Sequence, residues 1–156
     1  MVRRLFRRAE EDEKMAFDVH DCIAFLTNSG GKSLDESMNK RFRGQDITRT
    51  QWTALYYIDR IDGITQKQLA EAMMISGPSA SNLVDRLEAA GFVQREEDSE
   101  NGRVKHLVLT GTGKSKLDEL AHIPVEFNQE AVKDLTPEEV ETFKHVLAKM
   151  VDSVKE

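Results

Sequence analysis

The chain has 156 residues, 39% of them hydrophobic and 32% charged, with nine glycines and three prolines. That length suits one small domain with a few added helices and excludes a second large one, and the composition is globular and helix-leaning. No apolar run reaches the roughly 18 to 20 residues of a membrane span, and the start Met1-Val2-Arg3-Arg4-Leu5-Phe6-Arg7-Arg8 lacks the apolar region of a signal peptide, so a cytoplasmic protein with no membrane partner is expected.

Helix starts are marked by Ser or Thr followed three positions later by Glu or Gln, the capping-box spacing. Four are present: Ser33 with Glu36, Thr48 with Gln51, Thr65 with Gln68, and Thr136 with Glu139, the last with Pro137 at the first helical position. In chain order, an N-terminal helix is expected over about Glu11 to Thr27, broken by Asn28-Ser29-Gly30-Gly31 and resumed after Ser33. Trp52, Leu55, Tyr56 and Ile61 then share much of one helical face, and Asp62-Gly63 ends that helix. A short helix follows from Gln66 to about Met74. Another starts at Ser76-Gly77-Pro78 and runs to Ala90, with Ala80, Leu83, Val84 and Leu87 as its buried stripe, and Gly91 stops it.

Past Gly91 the period becomes that of strands, Phe92 to Glu96 and Val104 to Leu109. Asn101-Gly102 lies between them, a strong hairpin signal because both turn residues must take positive φ. Two helices are expected from Thr112 onward, with a kink or break at Pro124. The last helix carries Val140, Phe143, Leu147, Met150, Val151 and Val154 at three-and-four spacing, a stripe that needs a partner. Helix, short helix, longer helix and β-hairpin in that order make a winged helix-turn-helix. The fold expected is mainly α with a small β-hairpin wing, the core spanning residues 48-110 and flanking helices filling 11-46 and 111-155.

The residues Leu69-Ala70-Glu71, Ser76 through Glu88, Gly91-Phe92-Val93, Asp98 through Arg103 and Leu107-Val108-Leu109-Thr110 resemble the MarR family of transcriptional regulators over about Ile47 to Leu117. The resemblance implies a transcriptional regulator, read as a repressor with activation as the alternative; an enzyme is not expected, for want of any nucleophile or metal constellation. It further implies a homodimer joined through its terminal helices, with each recognition helix in the major groove of double-stranded DNA and half-sites about one helical turn apart on a pseudo-palindromic operator. The recognition helix falls on Ser76 to Ala90. Ser79, Ser81 and Asn82 are its early outward positions and the candidates for base contact; asparagine can pair bidentately with adenine. The family often has arginine at the place of Asn82. Arg103 matches the last arginine of the family's wing tip, whose acidic partner is replaced here by Asn101, and is the candidate for the minor groove. Thr65, Gln66, Lys67, Ser76, Arg86 and Lys105 are candidates for phosphate contacts. For Arg86 the alternative is an ion pair that fixes the recognition helix.

A net charge of −6 is unusual for a DNA binder, but its distribution accounts for it. Basic and acidic residues number nine and nine over 1–47, eight and nine over 48–115, and five and ten over 116–156, so the acidity sits in the tail. A DNA face needs positive charge only where phosphates lie. Gly31-Lys32-Ser33 and Gly113-Lys114-Ser115 lack the earlier glycine of a phosphate loop, having Leu26 and Val108 there, and Glu138-Glu139 is explained by capping and the helix dipole. Four scattered histidines and one cysteine show no zinc spacing, so neither metal nor cofactor is expected. His20 and Cys22, two apart on a helix, would point to different faces.

One branch of the resembling family senses organic hydroperoxides through a cysteine of its N-terminal helix, which makes Cys22 a redox candidate. Here Phe17 and Phe25 stand nearby in place of the supporting tyrosines. A small-molecule effector, aromatic or otherwise, would occupy a cleft to which His20, Trp52 and Tyr56 contribute. The reading from a different class is a winged-helix protein-interaction module that never touches DNA.

Overall fold

The computed structural model describes residues 18–97 and 104–155. The chain divides into two compact units, Met1–Asp46 and Ile47–Glu156. In the first, Asp18 to Asp21 form a turn, Cys22 caps a helix in extended geometry (φ −69°, ψ 116°), and α1 runs unbroken over Ile23–Arg41. This corrects two expectations. The helix does not break at Asn28 to Gly31, because each glycine costs a helix only about 1 kcal/mol and still donates to the ladder. Ser33 is then no cap: its hydroxyl turns back to the Ser29 carbonyl at 3.2 Å, the mid-helix use of serine. The expected helix from Glu11 to Thr27 lies outside the described residues up to Phe17, and His20 precedes α1 rather than sharing a helix with Cys22.

In the second unit the other three capping boxes form. They open α2 (Arg49–Arg60), α3 (Gln66–Ala72) and α7 (Pro137–Ser153), each with the cap hydroxyl accepting from the third backbone N–H and the Gln or Glu side chain accepting from the cap N–H. Ser76 caps α4 (Gly77–Ala89), with Pro78 in its first turn where a missing N–H costs nothing. α4 ends in a Schellman arrangement: Gly91 takes φ +74°, its N–H reaches the Glu88 carbonyl, and the Phe92 N–H reaches Leu87.

The core is gathered by these elements. Ala54, Leu55 and Ile58 of α2, Leu69 and Ala70 of α3, and the expected stripe Ala80, Leu83, Val84 and Leu87 of α4 are all buried, together with Ile64. Full burial of one such leucine contributes roughly 1.5 to 3 kcal/mol.

Strand β1 (Val93–Glu97) pairs antiparallel with β2 (Lys105–Leu109), Val93 opposite Leu109 and Glu97 opposite Lys105, each strand starting one residue later than the sequence pattern suggests. The Asn101-Gly102 turn lies outside the described residues. At its base the wing is tied inward. Leu107 donates to the Ile64 carbonyl at 2.8 Å, and the His106 ring Nδ1 sits 2.5 Å from the Gly63 carbonyl, within the turn that Gly63 makes at φ +63°.

Beyond the wing come α5 (Gly111–Glu119), α6 (His122–Val132) and α7, one helix more than expected. The break precedes Pro124 instead of falling on it. Proline has no N–H to offer the Leu120 carbonyl four residues back, which takes the Ile123 N–H at 3.1 Å instead, and Pro124 is left in the first turn of α6. α7 buries none of its residues within this chain, and Phe143 is 62% exposed.

Gly113 has a packing reason. A Cβ there would overlap the Phe92 carbonyl oxygen, so only glycine lets α5 approach the start of β1 this closely. Gly113→Ala is therefore expected to destabilise by about 1 to 3 kcal/mol through overpacking. Thermal unfolding would read this as a loss of several degrees, at about 2 to 4 °C per kcal/mol for a domain of this size. Gly111→Ala, where a Cβ meets nothing within 4 Å, should leave the midpoint unchanged or slightly raised.

Candidate nucleic-acid interface

The buried stripe of α4 determines which of its side chains face out. At 100° per residue, Ser79, Asn82 and Arg86 fall along one side of the outer surface, and all three are exposed. Ser81, Asp85 and Glu88 fall along the other, with Ser81 half-buried. Of the three expected base contacts, Ser79 and Asn82 thus share a flank and Ser81 stands apart. Ser79 also interacts locally: its hydroxyl lies 2.8 Å from that of Ser76, whose oxygen caps the helix by accepting the Ser79 N–H.

Between this flank and the first turn of α2 lies a cleft of about 430 Å³, lined by Thr48, Thr50 and Gln51 on one wall and Ser79, Asn82, Leu83 and Arg86 on the other.

The remaining phosphate candidates are dispersed. The Thr65 hydroxyl is used within its capping box, donating to the Gln68 side chain at 2.9 Å and accepting from the Gln68 N–H. Gln66 accepts from Arg95 at 3.2 Å. Lys67 is 86% exposed, with Glu71 at 3.9 Å. Lys105 is exposed at the start of β2. Arg103 lies outside the described residues.

Arg95 on β1 is the residue that sequence reasoning passed over. Its guanidinium binds Asp85 at 2.6 Å, Glu88 and the Gln66 side chain, linking wing, recognition helix and α3 through one side chain that is only 21% exposed. The hydrogen bond it donates to Asp85 raises the Arg95 pKa above its ordinary value, desolvation opposes this, and Glu88 adds to the rise. The ion pair given as the alternative role of Arg86 is made instead by Arg95, and Arg86 has no ion-pair partner among the described residues. Asp85 and Glu88, at i and i+3 on one face, were the available sign that a cation would be brought to them.

A second cavity, about 610 Å³, opens between α2 and the α5–α6 segment. Trp52 and Tyr56 line it, stacked at 5.8 Å, and the Trp52 indole donates to the Leu117 carbonyl at 3.1 Å. The Arg60 guanidinium lies 5.5 Å from the Tyr56 ring centre. Lys114 is held by Asp59 at 2.9 Å and Asp118 at 3.4 Å, and its pKa is raised, chiefly by the hydrogen bond to Asp59. His20 belongs to the N-terminal unit, where its ring meets Phe25 edge-on at 5.5 Å. Cys22 is a half-buried free thiol, and Phe17 lies outside the described residues. Among the described residues no group of His, Cys, Asp and Glu could hold a metal ion, and no helix is long and apolar enough to cross a membrane.

Comparison with known proteins agrees with this geometry. A profile of the MarR family matches residues 45–104. The HTH-type transcriptional regulator YybA of Bacillus subtilis (strain 168), itself uncharacterised, is 30% identical over 124 residues, covering 80% of this chain and 83% of its own. Among solved structures, the S. aureus MepR–DNA complex superposes with a TM-score of 0.77 at 30% identity, covering 85% of this chain and 98% of MepR. The transcriptional regulator SlyA superposes at 0.73 with 28% identity, covering 83% and 92%.

The Arg95 arrangement predicts a measurable coupling. Arg95→Met, which keeps the stem, should destabilise by about 1 kcal/mol, near the upper end for a partly exposed ion pair. A double-mutant cycle with Asp85→Asn should return a coupling of at least about 0.5 kcal/mol in denaturant unfolding. Simple additivity would remove Arg95 as the link between wing and recognition helix.

Proposed function

The chain belongs to the MarR family, and from that premise we propose that it is a sequence-specific DNA-binding repressor, a homodimer on a pseudo-palindromic operator, released by a small-molecule effector. The observation that carries this reading is the outer surface of α4: four buried positions fix its rotation, and a polar flank carrying an unpaired cation is left exposed toward α2, while the other flank is tied to the wing by Arg95. The likeness to MepR supports it, since that protein superposes in its DNA complex over 85% of this chain.

In this reading Ser79, Ser81 and Asn82 meet base edges in the major groove and Arg103 enters the minor groove. Thr65, Gln66, Lys67, Ser76, Arg86 and Lys105 position the protein on phosphates. The second copy covers the apolar stripe of α7, where Phe143, Val151 and Val154 are exposed at 62%, 43% and 79%. The effector enters the cavity of Trp52 and Tyr56 and is coupled reciprocally to DNA by about 1 to 3 kcal/mol.

A salt-dependent mobility shift on duplex DNA tests the reading against the protein-interaction alternative, which expects no shift. Asn82→Ala should change preference at a single operator position by about 1 to 3 kcal/mol; uniform weakening on every sequence would make it a backbone contact. Arg103→Ala should lower the slope of log affinity against log salt by up to about one unit, and an unchanged isotherm would remove the wing from the mechanism.

A further inference from the structure

We propose that the cleft between the first turn of α2 and the outer flank of α4 seats one DNA backbone phosphate, held by the Thr50 hydroxyl, the Gln51 side-chain amide and the Arg86 guanidinium. This rests on the DNA-binding reading and adds Thr50 and Gln51 to it.

The cleft is about 430 Å³ and has no carboxylate in its lining; its single charged group is Arg86, which has no ion-pair partner among the described residues. The polar groups around Arg86 are left as donors. Gln51 uses its Oε1 in the capping box, accepting from the Thr48 N–H at 2.8 Å and the Thr48 hydroxyl at 3.1 Å. The cap needs an acceptor there, which fixes the amide orientation and leaves both Nε2 hydrogens to donate. Thr50 is exposed. Thr53, one turn on, differs: its hydroxyl is spent on the Arg49 carbonyl at 2.9 Å.

A guanidinium, an amide N–H and a hydroxyl lining one cleft that has no carboxylate in its walls suit an oxyanion, and on duplex DNA that oxyanion is a phosphate. The acids of α4 lie on the opposite flank, where Arg95 holds them. One side of the helix is therefore clear for a phosphate strand. A phosphate seated against α2 also sets how deep α4 reaches into the groove, so the contact affects every sequence alike.

The test uses the full-length protein, an operator duplex selected from a random-sequence library, and an unrelated duplex of equal length. Gln51→Glu keeps the capping box, in which Glu is as good a partner as Gln, but turns a donor into a carboxylate. It should leave the melting temperature unchanged and weaken both duplexes about tenfold or more, the cost of losing a charge-assisted contact. Thr50→Ala removes an exposed hydroxyl and should weaken both by a few-fold. A scan with single methylphosphonate linkages should find one phosphate in each half-site whose neutralisation weakens the wild type but not Gln51→Glu.

If Gln51→Glu loses stability, Thr50→Ala and the scan decide. Wild-type affinity in both variants would overturn the phosphate seat while leaving the DNA reading intact, and so would a loss confined to one base pair. If the wild type binds neither duplex, the DNA reading fails and the seat with it.

Discussion

The rotation of α4 about its own axis is the constraint on which the rest of the site depends. Ala80, Leu83, Val84 and Leu87 are all buried, and Ala80, Val84 and Leu87 are fully enclosed. Turning the helix by one residue, 100°, would expose part of that stripe at a cost of several kcal/mol and bring polar side chains into the core. With the rotation fixed, Asn82 and Arg86 face out and Asp85 and Glu88 are carried toward β1. Arg95 adds a second restraint from the wing. The apolar core sets the angle; the guanidinium ties that angle to the strand that follows.

What was legible in the sequence was local. Caps at Thr48, Thr65, Ser76 and Thr136, the stripe of α4 and the alternation of the wing each use residues a few positions apart, and each appears in the structure. The errors were local signals without their context. Ser33 and Glu36 have capping spacing, but a cap requires the preceding chain to be non-helical, and α1 already runs through it. Pro124 marks a break, but the carbonyl that proline fails to satisfy lies four residues earlier, so the chain opens at Leu120. Arg95 was invisible for the opposite reason: its partners lie seven, ten and 29 residues away, on two other elements, α4 and α3, whose proximity to β1 only the fold supplies.

The charge of the chain follows the same logic. An overall charge of −6 describes the tail more than the face. α4 itself contributes two acids and one base, which summed over the helix would repel a phosphate strand. The placement reverses that sum: both acids share one guanidinium on one flank, and the lone cation stands on the other. A carboxylate paired with a guanidinium presents less field to a phosphate than a free one, whereas an unpaired arginine keeps its own. Local pairing rather than net charge decides whether this surface accepts DNA.

α2 connects the two cavities. Its first turn supplies Thr50 and Gln51 to the cleft beside α4, and its later turns supply Trp52, Tyr56, Asp59 and Arg60 to the larger cavity. Twelve residues of α-helix span about 18 Å, with Ala54, Leu55 and Ile58 buried on the core side. In the proposed reading a ligand wedged between Trp52 and the α5–α6 segment would act on the same helix that carries the proposed phosphate donors. A shift of α2 at its Tyr56 end would then also be felt at Gln51, where hydrogen bonds have a useful range of only a few tenths of an ångström. In the proposed reading the effector therefore need not distort the recognition helix, whose rotation the core and Arg95 hold. It has only to move the neighbouring helix that helps seat the DNA backbone.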